Sequence, residues 1–240
     1  MKKSQIIFVS IVVPTYNEEK FLPELILQLN YLTQQSKEFD KVKFEVILVD
    51  DGSTDETQKI CKKLAGLYIY QTNSGKGSAV RKGVENAKGD YIVVLDADLE
   101  YLPSDILKIV DVLDGKDREI VVYGSRYRTE KFPYIKLKPY KNQSIINLYF
   151  NYFLTLLFFF RKRKLVTDLL TGLKLYPTSI YRKISPTTNG FETDHELTVA
   201  LTKMEVPIKE IPISYNARTK ADGKKIGYRD AIKAIKVLIK

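Results

Sequence analysis

The chain has 240 residues, of which 44% are hydrophobic and 28% are charged, a balance that excludes disordered and collagen-like proteins. One cysteine and one histidine exclude an internal disulfide, a four-cysteine zinc site and a metal site built from several histidines. The net charge of +10 predicts an anionic partner, which can be a nucleic acid, a membrane surface or a phosphorylated substrate.

Strand-like and helix-like segments alternate along the first half of the chain. The predicted strands cover residues 8–13, 44–49, 67–70, 91–95 and 120–123. The predicted helices cover residues 18–35, 75–87 and 104–113, together with a helix that Ser53 or Thr54 caps and that runs to residue 65. Near-continuous apolar strands between helices predict an α/β fold with a mainly parallel sheet that is covered on both faces. In such sheets, ligands bind at the carboxyl ends of the strands.

The second half of the chain has a different pattern. After Arg126 it turns basic and aromatic, and the next strands are predicted at residues 172–176 and, more weakly, at 208–213. A further helix is predicted at residues 195–203. We see neither an internal repeat nor a Ser/Gly linker.

Three carboxylates follow the fourth predicted strand. Asp96, Asp98 and Glu100 alternate along a turning chain, so they can converge on one hard cation. A divalent ion there would offset the charge of a diphosphate and stabilise it as a leaving group. The alternative is a solvated acidic turn.

Other polar motifs follow the neighbouring strands, at residues 13–18 and 50–55. Residues 73–81 place glycines, a lysine and an arginine at a helix start, which suits an anion. The spacing of the glycines excludes a Walker A loop, and the first strand does not lead into the glycine pattern of a dinucleotide fold.

Taken together, these segments resemble the family 2 glycosyltransferases of the GT-A fold. The resemblance is carried by residues 13–18, 49–55, 75–77 and 96–98, and it continues through 124–126, 168–174 and 218–225. Within that family the chain is most similar to polyprenyl- or dolichyl-phosphate sugar synthases. The resemblance implies a Rossmann-like, mainly parallel sheet flanked by helices, with amphipathic helices at a membrane interface. It also implies inverting transfer of a hexose from GDP-mannose or UDP-glucose to dolichyl or polyprenyl phosphate.

The same resemblance implies a donor site. The residues that line its nucleotide pocket are Pro14, Tyr16, Glu18, Asp50, Asp51, Lys76 and Asp96. Asp96 and Asp98 hold the donor diphosphate through Mg²⁺ or Mn²⁺, and Asp98 counts among the catalytic residues. Glu100 is a third candidate ligand, at a position where relatives often carry glutamine. We place a soft boundary near residue 130, between a nucleotide-sugar-binding half (1–130) and an acceptor-binding half (131–240) of one domain.

Charge indicates what the site for the acceptor must contain. A phosphate with a second pKa of about 6 is ionised and nucleophilic at neutral pH, so it needs cations and no strong base. The resemblance points to Arg126, Arg218 and Lys225 as those catalytic cations. The alternative is that basic residues of this half form an ordinary solvated face.

A hydroxyl acceptor would instead need a carboxylate base. Asp194 or Glu196 could supply it, and the reaction would then extend a glycan. We interpret His195 between them as a structural hydrogen-bonding residue. A third possibility is a non-catalytic protein that binds a membrane peripherally.

Residues 145–160 predict contact with a membrane. Only Asn147, Asn151 and Thr155 are strongly polar in this segment, and the basic run 161–164 follows. A helix of these 16 residues would be about 24 Å long, short of the roughly 30 Å hydrocarbon core. The pattern favours a helix in the interface of an anionic membrane, and the alternative is a buried core or dimer helix.

Apolar segments also occur near both ends of the sequence. Residues 230–240 form a second amphipathic segment, and the apolar stretch 6–13 is too short to span a membrane. No small-residue cleavage site follows that stretch, so we expect a cytosolic chain attached peripherally to the cytoplasmic face of the cell membrane. Because the positive charge is clustered and forms no continuous arm, we expect no nucleic-acid partner.

Overall fold

The computed structural model describes residues 6–38, 41–63, 66–113, 119–129, 135–136, 138–218 and 228–239. The strands are β1 (Ile7–Thr15), β2 (Val42–Asp51), β3 (Leu67–Gln71), β4 (Tyr91–Val94), β5 (Val121–Ser125), β6 (Lys174–Pro177) and β7 (Ile208–Pro212). The helices are α1 (Leu22–Glu38), α2 (Thr57–Cys61), α3 (Lys76–Asn86), α4 (Asp105–Val110), α5 (Ile145–Lys162), α6 (Thr178–Ile184), α7 (Thr193–Lys203) and α8 (Tyr228–Ile239).

One seven-stranded sheet runs through the described part of the chain, in the order β3-β2-β1-β4-β6-β5-β7. Strands β1 to β4 pair in parallel, and β5 pairs in parallel with β7. Strand β6 lies antiparallel between β4 and β5. The prediction of an α/β fold with a mainly parallel sheet is therefore confirmed. Because β6 is reversed, the residues that precede it reach the sheet edge at which the other strands end.

The sheet is buried on both faces, which is why its strands are near-continuous apolar runs. On β1, Ile11 and Val13 pack on the face that α1 and α4 cover, whereas Val12 packs on the face that α3, α5 and α7 cover. Strands from both sides of residue 130 belong to this sheet, and the functional division at that residue stays a prediction.

Three elements differ from the predicted ones. Helix α2 begins after Glu56, so the predicted cap by Ser53 or Thr54 is not seen. Helix α1 begins at Leu22, later than residue 18, because the preceding loop is tied to the loop after β2. The backbone N–H of Glu18 donates to the Thr57 hydroxyl at 2.9 Å, and Asn17 has a φ of 50°. Helix α6 was not predicted, because its seven residues are too few to show a helical apolar period.

Helix α5 presents two different faces. Leu148, Leu154 and Phe158 are buried in the core, and the amide of Asn151 is buried beside them, donating to the Thr167 carbonyl at 2.9 Å. The predicted polar stripe therefore points partly inward. The opposite face is exposed and apolar, and it consists of Ile145, Ile146, Tyr149, Phe153, Leu156 and Phe160. We call these six residues the α5 apolar face. Among the described helices, none is both long enough and apolar enough to cross a bilayer.

Candidate functional site

Charged side chains from several segments meet at the carboxyl edge of the sheet. The contributing segments are the loops after β1, β2, β4, β5 and β7, the starts of α3 and α7, and the loop before β6. They carry Glu18, Asp50, Lys76, Asp96, Asp98, Arg126, Asp168, Asp194 and Arg218. The structure thus gathers at one edge most of the residues that the sequence singles out.

Lys76, the first residue of α3, binds two carboxylates. Its Nζ lies 2.7 Å from Asp96 Oδ1 and 3.7 Å from Asp194 Oδ2. Burial lowers the pKa of Lys76, but Asp96 and Asp194 outweigh this effect and the pKa lies above its usual value. Burial likewise raises the pKa of Asp194, and the ammonium groups of Lys76 and Lys174 hold it below its usual value. Gly172 allows Asp96 this position, because a Cβ there would lie 2.8 Å from Asp96 Oδ2.

Asp98 is paired with an arginine that comes from the far end of the chain. The distance between Asp98 Oδ2 and a terminal nitrogen of Arg218 is 2.6 Å, and Glu18 Oε2 lies 3.4 Å from the other terminal nitrogen. Burial raises the pKa of Asp98 to about 7, with Asp96 adding to the effect and Arg218 opposing it. The adjacent carboxylates of Asp96 and Asp98 therefore remain short of positive charge, which suits a hard divalent cation.

Glu100 does not join the other two carboxylates as expected. Its Oε2 accepts a hydrogen bond from the Tyr215 hydroxyl at 2.8 Å, and its Oε1 accepts one from the backbone N–H of Arg218 at 2.9 Å. Within the described ranges, no group of three His, Cys, Asp or Glu side chains is arranged to hold a metal ion. Glu100 is thus not gathered with the other two carboxylates in this structure, and metal binding by Asp96 and Asp98 stays a prediction.

The two aspartates after β2 organise loops. Asp51 Oδ1 accepts from the N–H of Ser74 at 2.8 Å, and its Oδ2 accepts from the N–H of Gly75 at 2.8 Å. Gly75 has a φ of 98°, in the region that favours glycine, directly before α3. Asp50 is buried, and its Oδ2 accepts from the Tyr68 hydroxyl at 3.3 Å. Asp51 therefore fixes the loop that leads to Lys76, and a direct contact of either aspartate with the nucleotide stays a prediction.

The end of β1 forms the other wall of the predicted nucleotide pocket. Pro14 is buried opposite Val49, whereas Tyr16 is 37% exposed. The Asn17 side-chain oxygen accepts from the backbone N–H of Thr54 at 2.8 Å, which joins the loops after β1 and β2. Tyr16 is thus partly exposed at this sheet edge, and its contact with the nucleotide stays a prediction.

Arg126 is a buried ion-pair partner rather than an open cation. Its Nε donates to Asp168 Oδ2 and a terminal nitrogen donates to Asp168 Oδ1, both at 2.7 Å. The guanidinium also lies between the rings of Tyr127 and Tyr215, 5.1 and 5.0 Å from their centres. Asp168 accepts both of these hydrogen bonds, and a direct contact of Arg126 with an acceptor phosphate stays a prediction. Lys225, the third expected cation, lies outside the described residues.

Two buried basic side chains, Lys174 and His195, lie near the site, and neither of them was predicted from the sequence to be a site residue. Lys174 on β6 has no exposed surface, lies 4.7 Å from the centre of the Tyr123 ring, and has a pKa that burial lowers. A lysine in an otherwise apolar predicted strand was the signal that could have identified it. Burial lowers the pKa of His195 to about 4, so this residue is uncharged at neutral pH. Its Nδ1 has no hydrogen-bond partner among the described residues, so the expected hydrogen bond is not seen there.

Glu210 on β7 is a further residue that the sequence did not indicate. Its carboxylate accepts from the backbone N–H of Thr167 at 2.9 Å and of Asp168 at 3.1 Å, and burial raises its pKa. It therefore fixes the loop that presents Asp168 to Arg126.

Comparison with known proteins gives a family match over most of the chain. The family described as glycosyl transferase family 2 matches residues 10–185. The dolichyl-phosphate beta-glucosyltransferase of Saccharomyces cerevisiae is 30% identical, over 97% of this chain and 73% of the yeast protein. An undecaprenyl-phosphate 4-deoxy-4-formamido-L-arabinose transferase of Pseudomonas fluorescens is 40% identical over 46% of this chain and 33% of its own length.

Solved structures show the same fold. Glucosyl-3-phosphoglycerate synthase from Mycobacterium tuberculosis, in complex with UDP, has a TM-score of 0.70 at 19% identity and covers 97% of this chain and 79% of its own. Mannosyl-3-phosphoglycerate synthase from Rubrobacter xylanophilus has a TM-score of 0.69 at 15% identity, with 97% and 73% coverage. The predicted GT-A fold is thereby confirmed.

Proposed function

Because the chain belongs to glycosyltransferase family 2, we propose that it transfers glucose from UDP-glucose to a polyprenyl phosphate with inversion at the sugar carbon. The relatives matched over most of the chain are named for glucose transfer to dolichyl phosphate, which supports this donor over GDP-mannose. Dolichyl and other polyprenyl phosphates share the phosphate and the isoprenoid chain, so the acceptor is defined here by that chemistry.

The observation that carries the proposal is the alternation of charge at the end of β4. Asp96 and Asp98 lie side by side, with Lys76 2.7 Å from the first and Arg218 2.6 Å from the second. Two carboxylates next to two cations can bind a divalent ion and a diphosphate together, because each charge then finds an opposite neighbour. This arrangement suits a nucleoside diphosphate as donor and leaving group.

The oxygen atoms of Asp96 and Asp98 are the type of ligand that Mg²⁺ and Mn²⁺ prefer. Asp96 and Asp98 would hold the ion, and the donor diphosphate would complete its coordination, since Glu100 is engaged elsewhere. Such an ion supplies a positive charge that stabilises the departing diphosphate. In support, solved complexes of the Mycobacterium tuberculosis synthase contain UDP with Mn²⁺ or with Mg²⁺.

The proposed reaction needs no strong base. An oxygen of the ionised acceptor phosphate attacks the anomeric carbon, the bond from that carbon to the donor diphosphate breaks, and UDP leaves with the electron pair. Arg218 is the expected cation for the acceptor phosphate, and its contact with Asp98 puts it beside the donor site. The two anions would therefore meet between Arg218 and Lys76.

The hydroxyl-acceptor alternative rests on Asp194, and the structure gives it less support. Asp194 Oδ2 lies 3.7 Å from Lys76 Nζ, and the pKa of Asp194 is held below its usual value against the effect of burial. A carboxylate with a lowered pKa is a weaker proton acceptor than an ordinary one. Pairing with Lys76 explains its burial without a role as base.

Radiolabelled UDP-glucose and GDP-mannose, each offered with a short polyprenyl phosphate and Mn²⁺, test the proposal directly. We expect label from UDP-glucose in the lipid extract, and no transfer when the matching polyprenol replaces the phosphate. Transfer from GDP-mannose alone would overturn the donor assignment. Transfer to a glycan hydroxyl and not to the lipid phosphate would favour glycan extension, and no transfer with either acceptor would favour a binding role.

A membrane location for the acceptor is supported by the α5 apolar face. Phe153 and Leu156 are 52% and 55% exposed near its centre, and Phe160 is 67% exposed next to the basic residues that end α5. An exposed apolar face with a basic end suits the interface of an anionic membrane, where the isoprenoid chain of the acceptor also lies. These features support a peripheral location on a membrane, and its cytoplasmic face stays the expected side.

Substitution of Phe153 and Leu156 together by aspartate should reduce flotation with vesicles that contain anionic lipid by at least about tenfold, because two apolar side chains leave the bilayer. The matched control is the double change Leu27→Asp and Tyr31→Asp on α1, whose side chains are 65% and 62% exposed on the other face of the sheet. The control should float like the parent. Equal flotation of all three proteins would contradict the membrane location.

A further inference from the structure

The segment after β7 is bound to the turn after β4 by several hydrogen bonds. Glu100 accepts three of them: its carbonyl oxygen accepts from the N–H of Asn216, its Oε1 from the N–H of Arg218, and its Oε2 from the Tyr215 hydroxyl. Their lengths are 2.9, 2.9 and 2.8 Å. Asp105 adds a fourth by accepting from the N–H of Ser214 at 2.9 Å.

These contacts determine where the Glu100 carboxylate points. Each of its oxygens faces a donor of the segment 214–218, and Oε1 also lies 3.8 Å from Arg218 Nε. Its side chain is 12% exposed, so water competes weakly for these donors. The carboxylate is thus directed along this segment and not toward a point shared with Asp96 and Asp98.

The ring of Tyr215 reinforces the arrangement. It lies 5.4 Å from the Tyr101 ring and 5.0 Å from the Arg126 guanidinium, centre to centre. Tyr101 is buried, and Arg126 is fixed by Asp168. Tyr215 therefore has a firm support, and its hydroxyl offers Glu100 a fixed donor.

We propose that Glu100 is a positioning residue for Arg218 and not a ligand of the donor metal. It holds the backbone of Arg218 so that the guanidinium reaches Asp98 at 2.6 Å, and it thereby sets the distance between the acceptor-side cation and the donor carboxylates. The transfer readout below rests on the proposed function, whereas the cleavage and metal readouts do not.

Three variants separate positioning from metal binding. Glu100→Ala removes both side-chain hydrogen bonds, and Tyr215→Phe removes one of them without touching a carboxylate. Glu100→Gln retains both, since its amide oxygen can accept from the Arg218 N–H and its NH₂ can donate to the Tyr215 oxygen. The control is Glu85→Ala, which removes an exposed carboxylate 3.7 Å from Lys82.

The first readout is tryptic cleavage after Arg218 in the folded protein, followed by mass spectrometry. Cleavage there requires local opening, so its rate reports how firmly the segment is held. From the usual net contribution of a hydrogen bond, we expect cleavage about tenfold faster in Glu100→Ala and about threefold faster in Tyr215→Phe. Glu100→Gln and Glu85→Ala should be cleaved like the parent.

The second readout is the affinity for Mn²⁺ in the presence of UDP, measured from the free Mn²⁺ signal in electron paramagnetic resonance. All the variants should bind Mn²⁺ at least as tightly as the parent. In transfer assays, kcat should fall about tenfold in Glu100→Ala, with donor KM unchanged, and should be retained in Glu100→Gln.

Two results would overturn the proposal. One is Mn²⁺ binding weakened tenfold or more in Glu100→Ala, which would make Glu100 a ligand. The other is parent-like cleavage in both Glu100→Ala and Tyr215→Phe, and Tyr215→Phe alone decides this point if Glu100→Ala does not fold. A parent protein that transfers no sugar would refute the proposed function, while cleavage and Mn²⁺ binding would still decide the role of Glu100.

Discussion

Asp98→Asn should lose metal-dependent donor binding and lower kcat/KM for sugar transfer by about 10²–10⁴, because under the proposed function Asp98 would help to hold an ion that stabilises the leaving diphosphate by several kcal/mol. The substitution keeps the shape of the side chain. In the parent, Asp98 Oδ1 accepts a hydrogen bond of 3.0 Å from the backbone N–H of Glu100, and the amide oxygen of asparagine can accept the same bond. Only the charge is removed.

The same substitution should not lower the stability of the free protein at pH 8. Burial raises the pKa of Asp98 to about 7, so the folded state holds this proton more tightly than the unfolded state does. When a carboxyl group has a higher pKa in the folded state than in the unfolded state, the free energy of unfolding falls as the pH rises above the pKa of the unfolded state. The fall reaches its full size once the pH exceeds the pKa of the folded state. Removing the charge therefore removes the cost, which thermal unfolding at pH 8 will show.

Asp111→Asn, at an exposed position at the end of α4, is the matched control and should keep parent activity and Mn²⁺ affinity. Full transfer activity of Asp98→Asn in EDTA would contradict the metal role of Asp98. A large fall in its melting temperature would show that the activity was lost through unfolding.

Asp168→Asn should reduce the free energy of unfolding by about 3–5 kcal/mol, the usual effect of leaving a buried charge without its partner. Arg126 is 8% exposed, its guanidinium donates two hydrogen bonds of 2.7 Å to the Asp168 side chain, and its backbone N–H donates a third at 3.0 Å. In asparagine one of the two accepting oxygens is replaced by an NH₂ group, which cannot accept a hydrogen bond from the guanidinium. At least one of these bonds is therefore lost. Urea unfolding at pH 7.5 measures the effect.

The double variant Arg126→Met with Asp168→Asn should recover much of this loss, since it leaves neither charge unpaired. Glu85→Gln is the control, because its carboxylate pairs with Lys82 at the surface and should contribute less than about 1 kcal/mol. A loss in the double variant equal to the sum of the two single losses would contradict a direct pairing of the two side chains.

The sequence was sufficient for the sheet because each central strand is apolar on both faces. The run that includes Ile11 to Val13 has this character only when helices cover both sides, so its burial follows from its composition. The motifs after the strands were located for the same reason, since the carboxyl ends of parallel strands share one edge. Asp96 and Asp98 were identified in this way.

The partners of those motifs could not be read from the sequence. Arg126 and Arg218 looked alike as basic residues, yet one is neutralised by Asp168 and the other by Asp98. Each pairing joins distant parts of the chain, and only the register of the sheet brings them together. Glu100 shows the same limit, because its spacing from Asp98 suits a metal, whereas its hydrogen-bond donors come from the segment after β7 and could not be read from the sequence.

The reversed strand β6 has a consequence for the order in which the chain assembles. Strands β1 to β4 can pair with each other as soon as they are synthesised, but among the described strands β5 pairs with β6 and β7 alone. Strand β4 ends at Val94 and β6 begins at Lys174, so β4 keeps an open edge while the intervening chain is made. Closing so long a loop is slow, and an open strand edge can pair with another chain in the meantime. During biosynthesis, the arrival of β6 therefore joins β4 to β5 in one sheet and also covers the β4 edge at which unfinished chains would aggregate.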